Sequence, residues 1–228
     1  AVLRDGIVFP YECRNGGCGK CKCTVLYGTV DQGPHQESAL SAEERGRGMA
    51  LACSATVQSD IELEYVPLSA PGGLRPQLHA AVVSAMHRAT DDVMIVKLKV
   101  AGGPLRFYAG QYLNIRLPDG QHRSFSFATA PHVNDEIELQ IRLIPGGKFT
   151  THVFTAMKVG DTIEFEGPLG SFFLREDSDK PIIFVAGATG FAPVKSMVEH
   201  AFHIKMKRRI ILYWGVRSWK DLYLPELP

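Results

Sequence analysis

The chain has 228 residues, of which 45% are hydrophobic and 21% are charged, so it is long enough for one large domain or two to three small ones. Its 25 Lys and Arg residues against 24 Asp and Glu residues leave a net charge of +1, which favours neither nucleic acid nor an anionic membrane as a partner. No run approaches the roughly 18 consecutive apolar residues that span a bilayer, and residues 1–12 lack the order of a signal peptide. We therefore expect a cytoplasmic protein without a membrane span.

Both ends of the chain lead us to expect further sequence. The chain begins at Ala1 rather than Met, and residues 1–7 have the character of the last turns of a helix that ends at Gly6. Residues 224–228 follow a strand-like run and have the character of a helix start. We expect one segment before the chain and another after it.

All five cysteines lie within the first 53 residues, and three of them have the spacing C-x4-C-x2-C. Cys13, Cys18 and Cys21 are followed, after 31 intervening residues, by Cys53. Three thiolates in one loop plus a distant fourth are typical of a plant-type [2Fe-2S] site. The glycines between the cysteines allow the backbone to fold closely around the inorganic core.

Other interpretations of these cysteines are weaker. A structural zinc site pairs two C-x2-C knuckles, and only one such pair is present. Disulfides need a secretory context that the chain lacks, and a Rieske site needs two histidines near the cysteine motif. Cys23 is left over, and we interpret it as a buried structural thiol in a strand.

The segment from Tyr11 to Lys22, together with Leu51-Ala52-Cys53, resembles the ferredoxin domain of plant-type ferredoxin-containing reductases. The resemblance covers residues 1 to about 66 and implies a β-grasp fold of the α+β class, without the hairpin that normally opens that fold. A stretch rich in proline and glycine follows. We therefore predict a first domain over residues 1–68 and a linker over residues 69–76.

Residues 77–176 alternate between apolar and polar positions and are interrupted by turn signals, for example at Pro118-Asp119-Gly120. Many short strands of this kind predict an antiparallel barrel. One stretch compatible with a helix, residues 150–158, lies between the fifth and sixth predicted strands. We expect a second domain with a six-stranded barrel.

The segment His122-Arg123-Ser124-Phe125-Ser126 resembles the R-x-Y-[ST] motif of ferredoxin reductase-type flavin domains, with Phe125 in place of the tyrosine. The resemblance makes Arg123 a ligand of the FAD pyrophosphate, for which its guanidinium fork is suited. It makes Phe125 an apolar contact of the flavin and places Ser126 near the flavin N5 edge.

The segment Gly146-Gly147-Lys148-Phe149-Thr150 matches the G-G-x-x-[ST] element of the same family. A helix N-terminus with a hydroxyl at its N-cap is a natural anion site. We therefore expect Gly147 and Thr150 to contact the FAD phosphates.

The last segment, residues 177–228, has two continuous apolar runs, at 181–186 and 210–214, with a helix-like stretch at 193–204 between them. This order is typical of a parallel βαβ unit. The turn from Gly187 to Pro193 resembles the G-G-T-G-x-x-P turn of the family's NAD(P)-binding domain. The resemblance implies that Gly187, Thr189 and Gly190 bind the dinucleotide, and it places Thr189 with Ser126 at the hydride-transfer centre.

Two basic features near the end are open to a simpler interpretation. Arg217 follows the second apolar run and either contacts the ribose or phosphate of the dinucleotide or is a surface arginine. The run Lys205 to Arg209 ends a predicted helix, where positive charge complements the helix dipole, so we assign no nucleic-acid site to it.

Taken together, the resemblance implies an enzyme that passes electrons from NAD(P)H through FAD to a [2Fe-2S] cluster and on to a partner protein. FAD rather than FMN follows from the domain order. The partner is an oxygenase or a dehydrase, and the motifs resemble reductases of the CDP-6-deoxy-glucoseen type slightly more. The alternative is a ferredoxin-like electron carrier or binding module without turnover.

Overall fold

The computed structural model describes residues 9–66 and 74–226. The chain divides into two compact units, one of residues 1–73 with 170–172 and the other of residues 74–169 with 173–228. The helix predicted to end at Gly6 lies outside the described residues, as do most of the predicted linker and the last two residues of the predicted helix start.

Within its described residues, the first unit contains five short strands and one α-helix: β1 (Lys22–Tyr27), β2 (Val30–Gln32), α1 (Ala42–Gly46), β3 (Met49–Leu51), β4 (Ala55–Val57) and β5 (Glu62–Glu64). The strands form a three-stranded antiparallel sheet, in the order β3-β1-β5, and a separate β2-β4 pair. Ser41 and Glu44 form a reciprocal capping box that fixes the start of α1. This mixture of sheet and helix confirms the predicted α+β class.

The second unit contains eight strands and two α-helices in the part that the structure describes: β6 (Gln77–Arg88), β7 (Val93–Val100), β8 (Tyr112–Arg116), β9 (His122–Ser126), β10 (Ile137–Arg142), α2 (Lys148–Thr155), β11 (Thr162–Leu169), β12 (Ile182–Gly187), α3 (Phe191–His203) and β13 (Ile210–Gly215). Six of these strands form one antiparallel sheet in the order β10-β7-β6-β11-β8-β9. The Ala128 backbone N–H, just beyond β9, donates to the Glu138 carbonyl of β10 over 2.9 Å and brings the two edges together. The predicted six-stranded barrel is confirmed.

The first half of strand β7 is buried on both faces. Val96 and Leu98 belong to the core inside the barrel, whereas Val93 and Ile95 belong to a second apolar core that β12 and α3 also form. Burial of each such side chain contributes about 1.5–3 kcal/mol. Strand β7 therefore packs against the barrel interior on one face and against the segment after the barrel on the other. The predicted boundary between residues 176 and 177 lies inside one compact unit.

Strands β12 and β13 pair in parallel, from Ile182 opposite Ile210 to Gly187 opposite Gly215, with α3 between them along the chain. This arrangement confirms the predicted parallel βαβ unit. Helix α3 begins at Phe191, after a 3-10 turn over Ala188–Gly190, and so starts two residues before the predicted position. In the described parts of the chain no helix is long and apolar enough to cross a membrane.

Candidate functional site

The cysteine loop of the first unit places the four predicted ligands as two neighbouring pairs. The Cys13 thiol lies near that of Cys18, and the Cys21 thiol lies near that of Cys53 and also interacts with Cys18. Cys21 is buried and Cys53 half-buried, whereas the first two cysteines are exposed. The Gly17 N–H also donates to the Cys13 sulfur over 3.3 Å.

Cys13 and Cys21 differ in how readily their thiols ionise. Burial opposes ionisation of Cys13, but hydrogen bonds from the Asn15 backbone, the Cys18 thiol and the Gly17 backbone outweigh it and lower the pKa of Cys13 to about 7. Burial raises the pKa of Cys21 to about 12, and the neighbouring Cys53 and Cys18 thiols add to that effect. Because thiolate is the form that binds iron, binding must displace the Cys21 proton.

The pairing fits a binuclear cluster. No three Cys, His or carboxylate side chains converge on a single metal position in the described part of the chain. A [2Fe-2S] cluster of the plant type takes three thiolates from one loop and a fourth from a distant segment, which is the order of Cys13, Cys18, Cys21 and Cys53 along the chain. Cys23 stands apart from the pairs, because it is buried in β1 with its thiol donating to the Ala50 carbonyl over 3.5 Å.

In the second unit, the predicted flavin motif lies on β9. Arg123 donates to the His122 carbonyl and to the Gln121 side-chain oxygen, both over 2.8 Å, and both acceptors are neutral. Ser126 is the last residue of β9 and pairs with Tyr112 of β8. The Phe125 ring lies 5.5 Å from that of Phe149, so β9 faces the first turn of α2.

The structure corrects the expectation for Thr150. Helix α2 spans Lys148–Thr155 rather than the predicted residues 150–158, and its N-cap is Gly147. Thr150 is therefore in the first turn and buried, and its hydroxyl interacts with Ile144 and with the Gly147 carbonyl. The predicted hydroxyl cap was wrong, because the helix starts earlier and the buried Phe149 anchors its first turn.

Gly147 is required by the packing of this turn. A Cβ at this position would lie 2.7 Å from the Thr150 hydroxyl and 3.0 Å from the Ile144 carbonyl, so the turn admits only glycine without a shift. No side chain of the described residues caps α2 by a hydrogen bond. The uncapped N–H groups and the positive end of the helix dipole suit a pyrophosphate. Arg123 suits it as well, since its two hydrogen-bond acceptors are neutral, although its charge also interacts with the Asp119 carboxylate.

The predicted nucleotide turn joins β12 to α3. A Cβ added at Gly187 or at Gly190 would meet nothing within 4 Å, so the turn leaves space on its outer side. Thr189 is half-buried in the 3-10 turn. Ala188, which replaces a glycine of the family pattern, has a positive φ of 46°. An open turn at the start of a helix fits a dinucleotide diphosphate.

A residue without a predicted role supports this turn. The Trp214 indole N–H of β13 donates to the Ala188 carbonyl over 2.9 Å. Its ring stacks on Phe191 at 3.8 Å between centroids. The Tyr-Trp-Gly-x-Arg motif draws attention to Trp214 in the sequence. Its hydrogen bond to Ala188 could not be predicted, because the two residues are 26 positions apart and no spacing pattern links them.

Arg217 is engaged by carboxylates. It donates to Asp92 over 2.8 Å and lies 3.4 Å from Asp221, while its side chain is 65% exposed. Asp92, in the turn between β6 and β7, also accepts from Arg142 over 2.9 Å. The sequence gives no sign of this role for Asp92, because an aspartate in a turn between two strands is common and both of its arginine partners are distant along the chain.

Three family models match the chain in succession. A 2Fe-2S iron-sulfur cluster binding domain matches residues 1–58, an oxidoreductase FAD-binding domain residues 80–174, and an oxidoreductase NAD-binding domain residues 184–228. The chain belongs to the family of NAD(P)H-dependent flavoprotein reductases that carry a 2Fe-2S domain.

Individual relatives support this assignment. Terephthalate 1,2-dioxygenase reductase component 1 of Comamonas sp. is 40% identical over 99% of this chain and 67% of its own length. The CDP-6-deoxy-L-threo-D-glycero-4-hexulose-3-dehydrase reductase of Yersinia pseudotuberculosis is 34% identical over 98% of this chain and 67% of its own. The crystal structure of the Amycolatopsis cytochrome P450 reductase GcoB matches with a TM-score of 0.82 and 38% identity, over 98% of this chain and 68% of that one.

Proposed function

We propose that this protein carries electrons from NAD(P)H through FAD and a [2Fe-2S] cluster to a separate acceptor protein. The pairing of Cys13 with Cys18 and of Cys21 with Cys53, in one chain with flavin and nicotinamide domains, carries the proposal. When bound, the nicotinamide supplies two electrons as hydride, the flavin accepts them together and releases them singly, and the cluster carries one at a time.

In this proposal Cys13, Cys18, Cys21 and Cys53 would hold the cluster through their thiolates. The Gly17 N–H that reaches the Cys13 sulfur stabilises its negative charge. Hydrogen bonds to cluster sulfurs are one of the protein's means of setting the reduction potential. The buried Cys21 gives up its proton when iron binds, because a metal-bound thiol is deprotonated.

The flavin side is served by β9 and α2. Arg123 and the N–H groups at the start of α2 would hold the pyrophosphate, and Gly147 lets the turn before α2 pack closely against Ile144 and Thr150. Thr150 supports the same turn from within, through its bonds to Ile144 and Gly147. Phe125 would contact the apolar part of the flavin, and Ser126 would offer a hydroxyl to its reactive edge.

The nicotinamide cofactor is served by the turn between β12 and α3. Gly187 and Gly190 leave room for the diphosphate, and α3 offers it the positive end of its dipole. Thr189 lies between them and contacts the cofactor near the hydride-transfer centre. Arg217 reaches the ribose or phosphate with the part of its guanidinium that Asp92 leaves exposed.

For the acceptor, we propose an oxygenase or dehydrase component, since the names of the relatives cited above include both. Reconstitution with the terminal component of each kind of system tests the choice by product formation. We place the protein in the cytoplasm, where reduced conditions keep cysteine thiols free for iron. Fractionation of the native host with an antibody tests this placement.

The test of the electron path is an anaerobic visible spectrum of the holoprotein before and after NADH, and separately NADPH. We expect bleaching of the flavin band followed by bleaching of the cluster bands, with the more effective nucleotide identifying the physiological donor. A protein with both cofactors bound, which dithionite reduces and neither nucleotide does, would instead be a carrier without turnover.

A pair of cysteine variants then separates the two steps. Cys53→Ser removes one proposed ligand, and Cys23→Ser makes the same change at the cysteine that stands apart from the pairs. We expect Cys53→Ser to keep NAD(P)H-driven flavin bleaching while it loses the cluster bands and cytochrome c reduction. Cys23→Ser keeps all three, and cluster loss in both variants alike would contradict the ligand assignment.

A further inference from the structure

Helix α3 is fastened to the barrel by two consecutive side chains. Ser196, fully buried, donates its hydroxyl to the Thr129 carbonyl over 2.6 Å. Lys195 donates its ammonium to the Ala128 carbonyl over 3.2 Å. Both acceptors lie in the segment that leaves β9, two and three residues beyond Ser126. Helix α3, which follows the nucleotide turn, is thus hydrogen-bonded to the segment that continues from β9, and β9 ends at the proposed flavin edge.

The lysine in this contact is unusual for a helix surface. Its side chain is only 12% exposed, and burial of an ammonium is costly unless carboxylates compensate it. Glu199 of the same helix lies 3.0 Å from the Lys195 ammonium, and Glu138 of β10 lies 3.6 Å from it. A surface helix does not need a buried, doubly paired lysine in order to fold.

The acceptor side of the contact is also fixed. The Thr129 hydroxyl accepts from the Glu138 backbone N–H over 2.5 Å. The Ala128 N–H donates to the Glu138 carbonyl over 2.9 Å. Because β10 holds this segment from the opposite side, the two carbonyls that α3 engages have little freedom to move.

We propose that Lys195 and Ser196 are positioning residues for hydride transfer, an inference that rests on the function proposed above. They set the distance between the nucleotide turn at the start of α3 and the flavin edge at Ser126. Neither side chain exchanges protons or electrons with the cofactors. Hydride transfer requires the reacting atoms about 3–3.5 Å apart, and a displacement of about 1 Å can slow a reaction by about a hundredfold.

The experiment compares anaerobic stopped-flow reduction of the flavin by the preferred nucleotide in holoprotein variants. Ser196→Ala deletes the buried hydroxyl, Lys195→Met deletes the charge at similar length, and Lys195→Arg keeps the charge. The matched control is Ser84→Ala in β6, because the Ser84 hydroxyl is buried and has no hydrogen-bond partner among the described residues. FAD content, cluster content and dithionite reduction are measured for each variant.

We expect the limiting rate of flavin reduction to fall about tenfold or more in Ser196→Ala and further in Lys195→Met, since a misplaced donor slows the step itself. The dissociation constant of the nucleotide stays within about threefold, because the turn that binds it is intact. Lys195→Arg recovers most of the rate, and Ser84→Ala reacts like the wild type. FAD and cluster contents stay unchanged throughout.

Wild-type limiting rates in both Ser196→Ala and Lys195→Met would overturn the proposal. Slower reduction that merely parallels FAD loss would also overturn it, because the contact would then be structural. A wild-type flavin that dithionite reduces and neither nucleotide reduces would reject the proposed function itself. That last result is read from the wild type alone, so the two failures are distinguishable.

Discussion

Two glycine-containing turns in this protein use their glycines in opposite ways. In the cysteine loop, Gly16 has a positive φ of 75°, and a Cβ there would lie 2.6 Å from the Pro34 carbonyl oxygen. In the nucleotide turn, Gly187 and Gly190 have ordinary negative φ values, and a Cβ at either would meet nothing within 4 Å. The first glycine is required by the chain's own packing, whereas the other two leave space that the chain does not fill.

The difference separates folding from binding. A substitution at Gly16 acts on the free protein, because the clash is with its own backbone. A substitution at Gly187 or Gly190 causes no clash in the free protein, so any loss of function arises once a ligand occupies the open side of the turn. Cofactor content and stability report the first kind of glycine, and nucleotide affinity reports the second.

The largest effect is expected for Gly16→Ala. The positive φ and the contact with Pro34 together should destabilise the first unit by roughly 2–5 kcal/mol. Urea titration of the holoprotein, followed by the cluster absorption, measures this change. Gly48→Ala is the matched control, because its φ is 83° but its Cβ would have only a 3.5 Å neighbour. Equal losses in the two variants would mean that the Pro34 contact contributes nothing.

A smaller effect, of a different kind, is expected for Gly190→Ala. This residue has the helical φ of −60°, so alanine should leave stability unchanged or raise it by about 0.4–1 kcal/mol. The added methyl group occupies the open side of the turn, so the KM for the nucleotide should rise about tenfold, equivalent to about 1.4 kcal/mol. Steady-state dye reduction measures the KM. Gly46→Ala in α1, also without a Cβ neighbour, should leave the KM alone.

If Gly190→Ala instead lowered stability with an unchanged KM, the nucleotide turn would be a packing turn like the cysteine loop. The glycines of the two turns would then have the same role, in packing. Gly187→Ala tests the other end of the same turn, and we expect it too to raise the KM for the nucleotide.

Much of this organisation is predictable from sequence because it is local. The cysteine spacing falls within nine residues plus Cys53, and the strand pattern of the barrel repeats every two residues. Element boundaries were less accurate, as at Thr150, because the burial of Phe149 favours a start of α2 two residues before the predicted one, which periodicity does not mark. The Ser196 contact with Thr129 spans 67 residues, and no spacing rule reports a bond between a helix side chain and a distant carbonyl.

The next prediction concerns Ala188, the residue of the nucleotide turn that departs from the family's glycine. The positive φ of 46° is unfavourable for alanine by about 1–2 kcal/mol, and glycine removes this strain. The gain is partly offset because glycine has more conformational freedom in the unfolded chain. Ala188→Gly should therefore stabilise the second unit by about 0.5–1 kcal/mol. Urea unfolding followed by tryptophan fluorescence measures it. Ala156→Gly, at a φ of −133°, should destabilise the same unit, and stabilisation there would discredit the strain argument.

The smallest effect is expected at Asp92, which forms an ion pair with Arg217 just beyond β13. Burial would raise the pKa of Asp92, but the hydrogen bonds from Arg142 and Thr90 and the charges of Arg142 and Arg217 outweigh it, so the pKa is lowered. A lowered pKa means that ionised Asp92 stabilises the fold above its ordinary pKa of about 3.9, and that this contribution is lost as the pH falls through the lowered value.

Asp92→Asn should therefore cost under about 1 kcal/mol at pH 7, since the pair with Arg217 is partly exposed to solvent. The difference from the wild type should shrink as the pH falls below about 4. Urea titrations of the apoprotein by tryptophan fluorescence measure it, because both tryptophans, Trp214 and Trp219, flank Arg217. Asp91→Asn removes a neighbouring carboxylate that forms no ion pair in the described residues, and an equal loss there would show that net charge, not the contacts with Arg142 and Arg217, sets the effect.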